Sequence, residues 1–266
     1  NTTGDYNNAF GFQAVYGNLT GTELVGVGHN TLFANTTGSY NTAIGGFSLD
    51  ANTTASNNTA VGYASLSANT TGDRNVALGA YALDASTTAS GATALGYNAL
   101  SANTTGSTNT GVGFHALNVN TTGGTNVAVG ASALQANTTA SNNTAVGVSA
   151  LAANTTGTEN VGLGRYSLYT STTGSYNTAI GTNALFTNTT GSDNTAVGRS
   201  ALGASTTASN NVGIGRNALA SNTTGSNNVG VGHSSLNALT TGNSNVAMGF
   251  NSLSSDTLGD RAVAIG

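Results

Sequence analysis

Apolar and polar positions along the chain repeat every 17 residues, without insertion or deletion, from Asn7 to Gly266. The unit reads most plainly from Asn58 to Arg74, and its copies begin at Asn7, Leu24, Asn41, Asn58, Asn75, Ala92, Asn109, Asn126, Asn143, Asn160, Asn177, Asn194, Asn211, Asn228, Asn245 and Ala262. The fifth position is Gly in all sixteen copies, and the ninth is Leu in every copy that reaches it except the first, where it is Val15. Positions two to five alternate. Thr59 and Val61 fall on one face of an extended segment, Ala60 and Gly62 on the other. This predicts a short strand. The restriction to Ala or Gly on one side predicts a close neighbour there, and cover on both faces.

A second extended piece is expected around Leu66, with Ala99–Leu100, Ala133–Leu134 and Ala218–Leu219 as its equivalents, because the period leaves no room for helical spacing. Asn69 to Arg74 is turn chemistry: Asn and Thr side chains bond nearby backbone groups, and Gly72 could supply a positive φ. Ala stands in place of that Gly at Ala55, Ala89, Ala140 and Ala208, which argues that no positive φ is needed at this position.

A fixed period of this kind means that one unit cannot bury its own apolar side and must stack on its neighbours. The sequence therefore predicts an all-β fold, a parallel β-solenoid (β-roll or β-helix) of about sixteen 17-residue coils with ladders of Val/Ile, Leu, Thr and Asn. Coils advancing about 4.8 Å each would make a rod of roughly 75 Å. The domain expected is a single repeat solenoid over residues 1–266, with a partial repeat at 1–6. Both ends fall inside a repeat and neither is an atypical cap, so the chain reads as a window of a longer fibre.

Composition narrows the function classes. Lys+Arg number 5 and Asp+Glu 9, without Lys, so the basic footprint of a nucleic-acid or anionic-membrane binder is missing. Cys and Pro are both absent, which excludes disulfides and thiol chemistry. No run reaches the roughly 20 apolar residues that span a bilayer.

Candidate chemistry is sparse. His29, His115 and His233 lie in separate coils and are expected to be solvent-exposed rather than metal-binding, and the acids are equally scattered. No metal, cofactor or catalytic residue is expected, and the chain does not read as an enzyme. The triplet Asn-x-Thr recurs at the twelfth position, at Asn1, Asn18, Asn35, Asn52, Asn69, Asn103, Asn120, Asn137, Asn154, Asn188 and Asn222, and each is a formal N-glycosylation acceptor. The competing reading is an Asn turn ladder, favoured by Ser86, Ser171 and Ser205 at the same place. Of sixteen Tyr and Phe residues, all but one sit at the sixth, seventh, tenth or seventeenth position, as do Tyr63, Tyr81, Phe186 and Tyr176. Such variable positions form either an outer skin able to stack on sugars or a cover over the corners of the coil.

The string at Asn177 to Gly181, with Leu185 and Asn188 to Gly191, resembles the NTAVG…AL…NTTG repeats of extracellular fibre and phage tail-fibre proteins. Its core is similar to the repeat of trimeric autotransporter adhesin heads, whose unit is about three residues shorter. The resemblance covers Asn7 to Gly266 and implies a left-handed β-roll assembled as a homotrimer. It implies a stiff extracellular fibre or filament, adhesive in a cell-surface appendage or phage shaft, with end-to-end continuation, surface glycans as possible ligands, and no nucleic acid or membrane in this segment. The alternative is an ice- or carbohydrate-binding solenoid using rows such as Thr36, Thr53, Thr70, Thr104 and Thr121. Positions thirteen and fourteen point to opposite sides, so only one Thr row could face out.

Overall fold

The computed structural model describes residues 3–266, which form a parallel β-solenoid with one coil per 17-residue repeat. Asn1 lies outside the described residues. The chain forms two compact units, the first ending at Ala131 and the second beginning at Ser132. The first contains eight strands of three residues, from β1 (Asn8–Phe10) to β8 (Val127–Val129). The second contains eight more, from β9 (Thr144–Val146) to β16 (Val263–Ile265). Within each unit, neighbouring strands pair in parallel and like stacks on like: Val76 on Thr93, Ala77 on Ala94, Leu78 on Leu95. There is no helix among the described residues.

Strand alternation sets inside from outside. The third position is fully buried, as in Ala43, Ala60 and Ala94, while the second and fourth face outward. The interior is closed by the ninth-position Leu, fully buried in Leu32, Leu66, Leu100, Leu151 and Leu202. The two rows touch: a Cβ built on Gly111 would lie 3.2 Å from Cγ of Leu100 in the preceding coil, so the strand side facing Leu admits only Ala or Gly. Sequence reasoning expected both strand faces to be covered. In the single chain only this face is.

The second extended piece is not a strand. Leu66 has φ 53, Leu100 φ 55, Leu134 φ 50 and Leu219 φ 53, all in the left-handed region, within turns. A β-branched or bulky residue seldom adopts this conformation, at a cost of about 1–2 kcal/mol. It is offset because the left-handed bend turns Leu into the interior while its N–H still bonds a neighbour: Leu66 N–H donates to the Ala82 carbonyl at 2.9 Å, Leu100 N–H to Ala116 at 2.9 Å. The seventh and seventeenth positions are left-handed too, as in Tyr81 (φ 57) and Arg74 (φ 60). Their N–H groups point to the preceding coil, Tyr81 to the Tyr63 carbonyl at 3.0 Å and Arg74 to Ser56 at 3.2 Å. Hydrogen bonding between coils therefore continues through the corners, well beyond the three-residue strands.

Short polar side chains finish the job at each corner. First-position Asn accepts through Oδ1 from the next coil, as Asn41 does from Asn58 N–H and Asn58 from Asn75 N–H, both at 2.9 Å. At the sixteenth position the hydroxyls of Ser39 and Ser56 each accept an N–H from the preceding coil, both at 3.1 Å. At the thirteenth, Thr36 Oγ1 donates to the Thr53 carbonyl and Thr53 Oγ1 to Thr70, each at 3.0 Å. Asn, Ser and Thr are abundant because their side chains reach one coil and no farther. Fifteenth-position Gly does not take a positive φ, in line with the Ala that replaces it.

Candidate binding faces of the coil

All ten candidate acceptors within the described residues, Asn18, Asn35, Asn52, Asn69, Asn103, Asn120, Asn137, Asn154, Asn188 and Asn222, are buried inside the turn. Their amide nitrogens are committed. Asn52 Nδ2 donates to Asn35 Oδ1 at 2.8 Å and to the Ala55 carbonyl at 3.0 Å. Asn69 does the same toward Asn52 (3.0 Å) and Gly72 (3.0 Å), and Asn120 toward Asn103 (2.8 Å) and Gly123 (2.9 Å). In these three both amide hydrogens are used, while Asn103, Asn188 and Asn222, each one coil after a Ser at the same position, use one toward the turn carbonyl; a glycan on Nδ2 of Asn52, Asn69 or Asn120 would have to replace one of the two bonds. Mass spectrometry of tryptic and chymotryptic peptides from folded, secreted material is expected to find the segment around Asn69 unmodified. Glycopeptides at substantial occupancy in a chain that melts normally would contradict the ladder.

The Ser substitutions interrupt this ladder in a predictable way. The shorter hydroxyl side chain cannot reach the acceptor below, so Asn154 Oδ1 and Asn188 Oδ1, preceding Ser171 and Ser205, are buried without a partner, as is Asn222 Oδ1 before the apolar Leu239. The hydroxyls of Ser86, Ser171 and Ser205 are likewise unpaired.

The thirteenth-position row named for ice or sugar binding is half-buried, and its hydroxyls serve the backbone, as Thr104 Oγ1 does for the Thr121 carbonyl at 3.0 Å. The exposed Thr row is the fourteenth position, Thr37, Thr54, Thr71, Thr88, Thr105 and Thr122.

Two outward surfaces stand out. One is the strand face, where second-position Thr/Val and fourth-position Val/Ile/Leu form adjacent rows; Ile44, Leu78 and Leu95 are 39%, 36% and 45% exposed. A depression on it is lined by Tyr6, Asn8, Glu23 and Val25. The other is a row of rings in the first unit at positions six and seven. His29 stacks on Phe12 (centroids 5.5 Å apart) and meets the edge of Phe47 (4.9 Å). The row continues through Tyr63, Tyr81, Tyr97 and Phe114 at 5.5–6.1 Å. His115 lies 4.0 Å from Phe114. His29 and His233 are exposed as expected and His115 is half-buried, but sequence reasoning treated histidines apart from the aromatic pattern and so missed that His29 and His115 are rungs of this row and that His233 stacks on Phe250 in the second unit (5.4 Å); their sixth and seventh positions were the available signal. Among the described residues no group of three or more His, Cys, Asp or Glu could hold a metal ion, and no helix is long and apolar enough to cross a membrane.

Asp50 and Asp84 share the tenth position. Partial burial pushes both carboxyls above the ordinary aspartate value of 3.8, against backbone N–H donors that pull them down. A carboxyl raised on folding holds its proton longer in the folded state, so its unfavourable effect on stability is absent below the ordinary value and grows as pH rises through the folded one. Asp84→Asn is therefore expected to raise the melting temperature near neutrality and to leave it unchanged at low pH. An equal shift at both pH values would assign the effect to packing.

No protein-family model matches the chain, and no curated protein matches it.

Proposed function

We propose that the chain is a structural segment of an extracellular fibre or filament, able to present an adhesive surface and built to associate with further copies of itself. The observation carrying this reading is the outward strand face: in each unit an unbroken row of apolar fourth-position side chains beside a mixed Thr/Val row, too extensive to be left bare on a lone molecule in water. The repeat resemblance supports a left-handed homotrimer as the form of association. The coil-to-coil backbone bonding, which recurs in the same pattern from coil to coil within each unit, suits a part whose length can be set by repeat number alone. Electron microscopy of the purified chain tests the reading: uniform fibres or stiff particles are expected, and a short monomeric particle would count against it. Ice binding is the second reading, favoured by the exposed fourteenth-position Thr row. Thermal hysteresis at micromolar protein would establish it, and its absence with fibres present would leave the structural role.

A further inference from the structure

The outward strand face is bordered on one side by the seventeenth position of the preceding repeat and on the other by the sixth position of its own. Three acids occupy the seventeenth position in the chain, Glu23, Glu159 and Asp193, and the sixth-position residues that follow them are His29, Arg165 and Arg199. Every acid on one border thus has a basic side chain on the other border of the same coil. All six are exposed. They cannot pair with each other within a coil, because six residues of extended chain separate them by roughly 20 Å. Nor does stacking along the chain help: Arg199 and Arg216 occupy the sixth position of successive coils, a like-charge contact at about 4.8 Å in a lone molecule. The guanidinium of Arg165 lies over a neighbouring ring, 4.8 Å from the centre of Tyr166.

Resting on the self-association proposed above, we propose that copies of this chain pack with their strand faces together, parallel and in register, about an axis along the direction of coil stacking. That symmetry carries the sixth-position border of one copy to the seventeenth-position border of the next at the same height. Glu159 then meets Arg165 of a neighbouring copy, and Asp193 meets Arg199. An antiparallel arrangement would not match the heights. In four coils bulk runs the same way as charge: Tyr40 shares its coil with Gly46, Gly91 with Tyr97, Arg74 with Ala80 and Tyr176 with Thr182, so there a large residue on one border meets a smaller one across the interface; the first coil, with Tyr6 and Phe12, is the exception. The apolar rows drive association and the border residues set its direction and register.

Charge exchange tests this in the full chain. Glu159→Arg with Asp193→Arg makes both borders positive; Arg is native at that position with the same backbone, Arg74 at φ 60 and Arg261 at φ 59 against Glu159 at 57 and Asp193 at 59, so folding is not at issue. Adding Arg165→Glu and Arg199→Glu exchanges the signs. By sedimentation and native mass spectrometry, the two-site variant is expected to associate at least tenfold more weakly than the wild type, and the four-site variant to regain the wild-type level. Wild-type association should also weaken as salt is raised. An associating wild type whose two-site variant assembles equally well, or whose four-site variant fails to recover, overturns the register while leaving self-association standing. A monomeric wild type overturns both.

Discussion

Gly113→Val is expected to unfold the coil that contains it and to lower the stability of its unit by at least about 3 kcal/mol, because two separate costs fall on one residue. Gly113 has φ 135, a region that is open to glycine and closed to residues bearing a Cβ. A Cβ placed there would also lie 2.6 Å from the carbonyl oxygen and 2.7 Å from the carbonyl carbon of Gly130 in the next coil. Both are backbone atoms held by the ladder, so neither can swing away. An internal control sits at adjacent residues in the same unit. Gly45 has φ 118 and the same approach to the next coil, 2.6 Å from Gly62 O, whereas a Cβ on Gly46 would meet nothing nearer than the Tyr63 ring at 3.7 Å. Chemical denaturation should therefore find Gly45→Ala strongly destabilised and Gly46→Ala close to wild type. Equal effects at the two glycines, or a Gly113→Val chain with an unchanged midpoint, would remove the account of the invariant column.

That column was legible in the sequence, and its cause only in part. Sixteen glycines at one phase announce a constraint, and close approach was the natural reading; the positive φ was hidden because Gly tolerates every conformation and so reports none of them. The strand at positions two to four was legible because alternation has a period of two. The bend at Leu66 was not. Leu is a poor residue for the left-handed region, and local preference pointed to an extended or helical segment; the tertiary requirement to bring one large apolar side chain per coil into a narrow interior overrides it. The Asn triplets illustrate a different gap. The pattern Asn-x-Thr carries the same letters whether the amide is offered to an enzyme or shared between two carbonyl oxygens, and only the burial of Asn52 and Asn69, with both hydrogens used, separates the readings. Which strand face looks inward was also open, since Val with Leu inside or Ala with Leu inside both fit the alternation. The short reach from Leu100 to Gly111 decides it: a β-branched residue at that site would overlap Leu, so the larger residues turn out.

Because the larger residues turn out, Asp at Ile44, Leu78 and Leu95 together is expected to abolish self-association while leaving the coil folded. These side chains are between a third and a half exposed, point away from the Leu row, and make no hydrogen bond of their own, so the folded monomer loses modest packing and gains three solvated carboxylates. An assembled face is different. Each carboxylate would be taken from water with no partner cation among the Thr, Val, Ile and Leu rows, and the cost of even one such charge is several kcal/mol. Three should weaken association by well over a thousandfold, beyond detection at working concentrations. Interior replacement should behave in the opposite way: Leu83→Ala removes a fully buried side chain and is expected to lower unfolding free energy by about 2–5 kcal/mol whether or not copies associate. The pair of measurements, melting midpoint and native mass, thus separates the two faces of one strand. If the triple Asp chain melts far below the wild type as a monomer, the fourth-position row belongs to the interior. If it keeps both its midpoint and its oligomeric mass, the face is not where copies meet, and the apolar rows need another occupant.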